Sequence, residues 1–128
     1  MSENVIKQGD IFWVNVKNVF PKTSLHYQEG ERPCLIVSNN KNNVYSDLVQ
    51  IIPLTTQEDY LPQHKFIIIK NYKGDIIHKK NYLITEQLTF IDKKFLGQFY
   101  GRIMKGYYKQ VNRAIKIQFN IDQEGVKL

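Results

Sequence analysis

The chain has little of what several common scaffolds require. Cys34 is the only cysteine among 128 residues, so no internal disulfide can form and a cytoplasmic location is expected. No uninterrupted apolar stretch approaches the roughly 20 residues that cross a membrane as a helix. Residues 1–10 contain no apolar core of the kind that a secretory signal needs. These absences predict neither a disulfide-stapled fold nor a membrane-spanning one.

Metal and nucleotide sites are not indicated either. The histidines His26, His64 and His78 are scattered and far from the cysteine in sequence, so no spacing supports a zinc site. There is no glycine-rich phosphate loop, dinucleotide fingerprint or nucleophile elbow. No helix-spaced carboxylate pair suggests a two-metal nuclease. We therefore predict no metal and no cofactor, while a Ser/His/Asp or Cys/His triad remains open.

What the chain does have is positive charge. The formal net charge is +6, a balance that favours a polyanionic partner such as nucleic acid, an acidic protein or an anionic surface. The lysines are spread along the chain, without a basic tail. The length and the ordinary hydrophobic content of 42% predict one folded domain over residues 1–128.

Hydrophobic patterning predicts strands first and a helix last. Strands are expected at 10–17, 33–38, 47–54, 65–70 and 82–88, followed by a helical turn opened by Asp92 and a short strand near 99–103. Residues 39–46 and 71–75 are expected as turns, and 18–32 as a long loop. Pro53 predicts an edge position or a bulge. Apolar residues recur every three or four positions over 104–120, which indicates an amphipathic helix packed on a small α+β barrel or sheet.

Arg32 and Thr55 are the strongest candidates for chemistry. Arg32 begins the second strand, and Pro33 holds it in an extended conformation. Arginine keeps its charge and presents a fork of donors that fits phosphate. Thr55 and Thr56 follow the third strand. If these two strands are antiparallel neighbours, the guanidinium and the hydroxyl converge on one anion. The alternatives are an ordinary surface arginine and a threonine pair that only caps the strand.

Three further side chains are weaker candidates. His26 and Tyr27 lie in the long loop, where they would either stack on bases or pack as a lid without a ligand. His64 is a lone histidine, and lone histidines are more often structural than catalytic. The basic face of the last helix is expected to be a solvated face.

Several segments, in this order, resemble the MazF/PemK family of toxins from type II toxin–antitoxin systems. They are KQGDIF at 7–12, GERP at 30–33 with CLIV at 34–37, SDLVQIIPLTT at 46–56, LPQH at 61–64 and LITEQLTFIDKKFL at 83–96. The resemblance extends from about residue 5 to residue 119. It implies an SH3-like β-barrel of about five to seven strands with a C-terminal helix, and a homodimer.

The resemblance also implies a function. Family members are metal-independent endoribonucleases that cut single-stranded RNA within short sequences, and an acidic antitoxin with a disordered tail neutralises them. Arg32 and Thr55 match the catalytic arginine and threonine. The hypothesis is that the 2′-hydroxyl of RNA attacks phosphorus, giving a 2′,3′-cyclic phosphate and a 5′-hydroxyl, with the general base unassigned. The residues predicted to bind RNA around this pair are His26, Tyr27, Glu31, Thr56, Gln57, His64 and Gln87.

The sequence departs from the family in two places. Residues 19–27 lack the usual glycine-rich run, and Leu88 stands where an arginine is frequent. The cleavage sequence therefore cannot be transferred. Two other functions stay open, namely a non-enzymatic inhibitor of DNA gyrase of the CcdB type on the same fold, and a basic barrel that only binds RNA or DNA.

Overall fold

A computed structural model describes residues 5–15, 17, 19, 30–58 and 61–121. Within these residues the chain forms seven strands and two α-helices. In chain order they are β1 (Asp10–Asn15), β2 (Glu31–Ile36), α1 (Asn40–Tyr45), β3 (Leu48–Thr55), β4 (Phe66–Asn71), β5 (Ile76–Leu83), β6 (Thr89–Asp92), β7 (Leu96–Ile103) and α2 (Tyr108–Phe119). No helix in the described ranges is long and apolar enough to cross a membrane.

The strands form one antiparallel sheet that closes on itself. Its order is β2-β1-β7-β4-β5-β3-β6, and an additional pairing between β2 and β3 completes a ring. Closure of this kind removes the edges of the six strands in the ring, while β6 pairs only with β3 and lies outside it. The predicted α+β barrel with a C-terminal helix is therefore confirmed.

Strand β3 pairs with three other strands, namely β2, β5 and β6. Its first half pairs with β6, as Leu48 does with Asp92, and its end pairs with β5, as Thr55 does with Tyr82. Pro53 lies between these two pairings and is also opposite Cys34 of β2. The expected edge position is thus wrong. Proline, which has no N–H to donate, is accommodated where β3 changes its neighbour.

Two apolar clusters occupy the two faces of the sheet. The first contains Ile11, Leu35, Ile52 and Leu54, and α2 covers it with Val111 and Ala114. The second contains Val14, Cys34, Ile36, Val49, Ile51 and Ile91. Because side chains alternate along a strand, β2 and β3 contribute to both clusters and are buried on both faces.

An ion pair between a buried carboxylate and a half-exposed arginine joins β1 and β7, the first and last strands of the chain. Asp10, which is 2% exposed, stands opposite Arg102, and Arg102 Nη2 lies 3.0 Å from Asp10 Oδ1. The backbone N–H of Lys7 donates to Asp10 Oδ2 at 2.9 Å. Burial raises the pKa of Asp10, while the Lys7 N–H and Arg102 oppose this rise. Ionisation of Asp10 in the folded chain is therefore unfavourable on balance, and Arg102 offsets part of that cost.

Several predicted boundaries are wrong. Residues 39–46 contain helix α1, which Asn39 caps by accepting the N–H of Asn42 at 2.8 Å. The strand predicted at 82–88 is Ile76–Leu83 instead, followed by a 3-10 turn at Thr85–Gln87 and by the separate strand β6. The last strand begins at Leu96, and the helix at Tyr108 after a 3-10 turn. Most of the expected long loop at 18–32 lies outside the described residues.

Candidate active site

The pairing of β2 with β3 brings Arg32 and Thr55 together. The observed register sets Cys34 opposite Pro53, Leu35 opposite Ile52 and Ile36 opposite Ile51. Arg32 and Thr55 each lie two residues beyond the last of these pairs, Cys34 and Pro53, at the same end of the two strands. The antiparallel neighbours on which the sequence prediction depended are confirmed.

Local sequence positions the Arg32 end of this pair. Gly30 has φ of 99°, a left-handed conformation that a side chain would strain, and it directs the chain into β2. Pro33 then stands opposite Trp13 of β1, and Arg32 opposite Val14. The backbone of Arg32 is therefore extended and is held by regular pairing with β1.

Arg32 is unusually buried for an arginine. It is 8% exposed, and Cys34 is two residues further along the same strand. Loss of solvent lowers the pKa of the Arg32 guanidinium, and interaction with Cys34 opposes that change. Burial raises the pKa of the Cys34 thiol to about 12. Cys34 is fully buried and protonated, so it is not a nucleophile.

Thr55 is oriented by the turn that follows it. Its Oγ1 accepts the backbone N–H of Gln57 at 3.2 Å, so the threonine does cap the end of β3 as the alternative interpretation held. A hydroxyl that accepts one hydrogen bond still has its own proton to donate. The capping role therefore fixes the oxygen without using the donor.

Both side chains line one open cavity of about 440 Å³. Its wall includes three of the predicted RNA-binding residues, Glu31, Thr56 and Gln57. The remaining lining residues are Trp13, Pro33, Leu54, Ile77, Lys79, Asn81 and Tyr100. Trp13 and Tyr100 meet edge to face, with ring centroids 5.2 Å apart, and form an aromatic side of the cavity.

Two other predicted residues do not line this cavity. His64 is buried and its Nε2 lies 2.7 Å from Glu86 Oε1, which ties the segment before β4 to the 3-10 turn at Thr85–Gln87. Thr85 reinforces this link by donating its hydroxyl to the carbonyl of Gln63 at 2.8 Å. Gln87 is in the same turn. His26 and Tyr27 lie outside the described residues.

The sequence prediction missed the contribution of β5. Ile77, Lys79 and Asn81 alternate along that strand and face the cavity. The pattern was obscured because the residues between them include His78 and Lys80, so the strand lacks a clear apolar side. In the part of the chain that the structure describes, no group of three or more histidine, cysteine, aspartate or glutamate residues is arranged to hold a metal.

A closed antiparallel barrel with a C-terminal helix, carrying a cation and a hydroxyl in one cleft, defines a small SH3-like barrel with a candidate anion site. The particular family follows from the sequence. Residues 7–119 match the PemK-like, MazF-like toxin family of type II toxin–antitoxin systems, and the chain belongs to that family.

Solved structures share the fold. An endoribonuclease from a mycobacterial species superposes with a TM-score of 0.68 at 18% identity, covering 94% of this chain and 96% of the other. An endoribonuclease in complex with its cognate antitoxin, also mycobacterial, gives 0.64 at 21%, covering 94% and 98%. MazF from Deinococcus radiodurans gives 0.65 at 17%, covering 93% and 100%. At these identities the likeness establishes a common architecture over nearly the whole chain.

Proposed function

We propose that this protein is an endoribonuclease toxin that cleaves single-stranded RNA without a metal ion. The observation that carries the proposal is the shared cavity of Arg32 and Thr55. Membership of the toxin family and the names of the mycobacterial structures, both endoribonucleases, support the same activity.

The reaction that suits this cavity is an internal transfer on the RNA backbone. The 2′-oxygen forms a bond to the adjacent phosphorus while the bond from phosphorus to the 5′-oxygen breaks. The 2′-hydroxyl loses its proton to a base, and the leaving 5′-oxygen gains one. The products are a 2′,3′-cyclic phosphate and a 5′-hydroxyl. Negative charge grows on the non-bridging oxygens, and stabilising it is the task of the protein.

Arg32 and Thr55 divide that task. Arg32 donates to a non-bridging oxygen, and its burial strengthens this interaction because little water competes. Thr55 donates its hydroxyl proton to the same developing charge. Burial also lowers the pKa of Arg32, which brings the guanidinium closer to being able to protonate the leaving oxygen. Electrostatic stabilisation remains its principal role, since free arginine has a pKa above about 12.

Glu31 is the candidate general base among the described residues. It precedes Arg32 in β2 and lines the same cavity. A Glu31→Gln variant tests this role through the pH profile of cleavage, because loss of a base abolishes the acidic limb of the profile. An unchanged acidic limb removes Glu31 from the mechanism. His26, the other base considered from sequence, lies outside the described residues.

The same cavity also offers a surface on which a nucleobase next to the phosphate would stack. Trp13 and Tyr100 supply aromatic surface at its edge, and stacking on aromatic side chains contributes about 1–3 kcal/mol per base in single-strand binding. Glu31, Thr56 and Gln57 supply acceptors and donors in the same cavity. These groups are the proposed RNA-contacting residues.

Incubation of the purified protein with a long RNA in EDTA, followed by mapping of 5′ ends and of terminal phosphates, tests the proposal. We expect discrete cuts with 5′-hydroxyl and 2′,3′-cyclic phosphate ends. Salt-dependent binding without turnover would instead identify a binding barrel. Toxicity that leaves cellular RNA intact but damages DNA would identify a gyrase inhibitor.

We also propose an acidic antitoxin as partner. One of the similar mycobacterial structures is bound to its cognate antitoxin, and the net charge of +6 suits an acidic chain whose disordered tail folds over the cavity. Isothermal titration with the product of the adjacent gene tests this pairing, and absence of binding contradicts it.

The chain is further proposed to form a homodimer. The end of α2 leaves Ile117, Phe119 and the following Ile121 exposed, which is apolar surface that association would cover. Sedimentation velocity should give twice the mass of the chain, and a monomer at micromolar concentration contradicts the proposal.

A further inference from the structure

Strand β5 presents two neighbouring lysines to different sides of the sheet. Ile77, Lys79 and Asn81 line the cavity that holds Arg32. Lys80 points the other way, where its Nζ lies 4.8 Å from the centre of the Phe66 ring. Tyr82 lies on that side as well, with its ring centroid 6.0 Å from that of Phe66. Only the first of the two lysines therefore brings its charge to the cavity.

The charge of Lys79 has no carboxylate partner within the described part of the chain, because no carboxylate there lies within ion-pair distance of its ammonium group. The backbone at this position is held, because Asn81 Nδ2 donates to the carbonyl of Lys79 at 3.3 Å and Asn81 is 6% exposed. Lys79 thus offers an exposed cation from a fixed point on the wall.

Lys79 and Thr55 are separated along the strand. Tyr82 of β5 pairs with Thr55, and Lys79 is three residues further from that point. At about 3.3 Å per residue the backbones of Lys79 and Tyr82 are at most about 10 Å apart, because the register of β5 against β4 is irregular between Ile77 and Asn81. Arg32 and Thr55 lie at the same end of their paired strands, so Arg32 is at the near end of this interval. Lys79 therefore enters the cavity from a different point of the wall than Thr55, which suits contact with a second phosphate of an extended RNA strand.

We propose that Lys79 binds an RNA phosphate that flanks the one held by Arg32 and Thr55, and so fixes the direction and register of the strand in the cavity. This inference rests on the proposed nuclease function. Lys79 is a positioning residue, since it binds substrate away from the reacting phosphorus. A lysine is suited to this role because its ammonium is a point charge that accepts any backbone orientation.

Matched variants of the two adjacent lysines test the proposal. Lys79→Gln and Lys80→Gln remove the same charge from opposite sides of one strand. The probe is an RNA with a 2′-deoxy nucleotide at the mapped cut, which binds but is not cleaved. We expect Lys79→Gln to weaken binding about fivefold at low salt and to reduce the slope of log K against log salt by about 0.7. Lys80→Gln should leave both quantities unchanged.

Neutral linkages locate the phosphate. A series of such probes, each with one methylphosphonate, should show the wild-type protein losing affinity at the scissile linkage and at one flanking linkage. The Lys79→Gln variant should bind the probe that is neutral at that flanking linkage as well as it binds the unmodified probe. The Lys79→Arg variant should again lose affinity when that linkage is neutral. A structural effect of the substitution would weaken binding to every probe equally, which would overturn the proposal.

The outcomes separate this inference from the function on which it depends. If the wild-type protein leaves unmodified RNA uncut, the nuclease proposal fails and the Lys79 role fails with it. If the wild-type protein cuts RNA but Lys79→Gln and Lys80→Gln behave alike, only the Lys79 role is overturned. Thermal melting of both variants identifies loss of folding. If Lys79→Gln does not fold, Lys79→Arg tests the role instead, because it keeps the charge and should bind RNA like the wild-type protein.

Discussion

Arg32 and Thr55 each lie two residues beyond the Cys34–Pro53 pair of β2 and β3 and line one cavity, with Arg32 buried and the Thr55 hydroxyl accepting the N–H of Gln57. The pairing of β2 with β3 that closes the barrel therefore also carries both residues to the same cavity. The predictions below test what each group contributes and what holds the surrounding strands.

Thr55→Val is expected to reduce cleavage about 100-fold, because it removes a donor from the developing charge while keeping the shape of the side chain. Single-turnover cleavage of a saturating RNA measures the effect. Thr55→Ser is the control, since it keeps both the donor and the acceptor for Gln57. Comparable losses in the two variants would mean that the hydroxyl is not used.

Arg32→Lys is expected to reduce cleavage by at least about 100-fold although a cation is retained. Lysine lacks the planar fork, and burial that lowers the pKa of arginine would lower that of lysine as well. Part of the residual activity should therefore return as pH falls and the lysine becomes charged. Cleavage by Arg32→Lys at the wild-type rate across the pH range contradicts a specific role for the guanidinium.

Arg102→Gln is expected to lower the free energy of unfolding by about 1–2 kcal/mol at pH 7, less than a fully buried pair would lose because Arg102 is half exposed. Without the arginine, the already raised pKa of Asp10 rises further. A raised folded-state pKa means stability that is present at low pH and is lost as pH rises through it. The difference between variant and wild type should therefore vanish at a pH below the pKa of a free aspartate, as measured by urea unfolding. A difference independent of pH would contradict the ion-pair explanation.

Gly101→Ala is expected to destabilise the barrel by about 1–3 kcal/mol or to prevent folding. A Cβ at this position in β7 would overlap the backbone carbonyl of Lys70, with which β7 pairs through β4. Gly106→Ala is the matched control, because nothing lies within 4 Å of its Cβ position. Thermal melting compares the two, and equal melting temperatures would refute the packing argument.

The sequence was sufficient for the parts of the fold that depend on local pattern. Arg32 before an apolar strand, Thr55 after another and the three-to-four residue period of the last helix each marked an element that the structure contains. The convergence of Arg32 with Thr55 needed one added assumption, that β2 and β3 are antiparallel neighbours, and this assumption is correct.

The parts that failed depend on long-range pairing. Strand β5 is half solvated and interrupted by Lys79 and Lys80, so its propensity is weak and its conformation comes from pairing with β3 and β4. Helix α1 was taken for a turn because its asparagines favour turns, yet Asn43 is buried and bonds Ser38 in both directions. His64 looked available in sequence, but its partner Glu86 is 22 residues away and only the folded chain shows the contact.

Closure of the ring through β2 and β3 also limits how the site can be switched off. Because β2 and β3 are adjacent strands of a hydrogen-bonded ring, separating the two strands would break main-chain bonds of the barrel itself. Inactivation must come from occupying the cleft or masking its charge. Antagonists of this protein should accordingly compete with RNA and leave the barrel unchanged in shape.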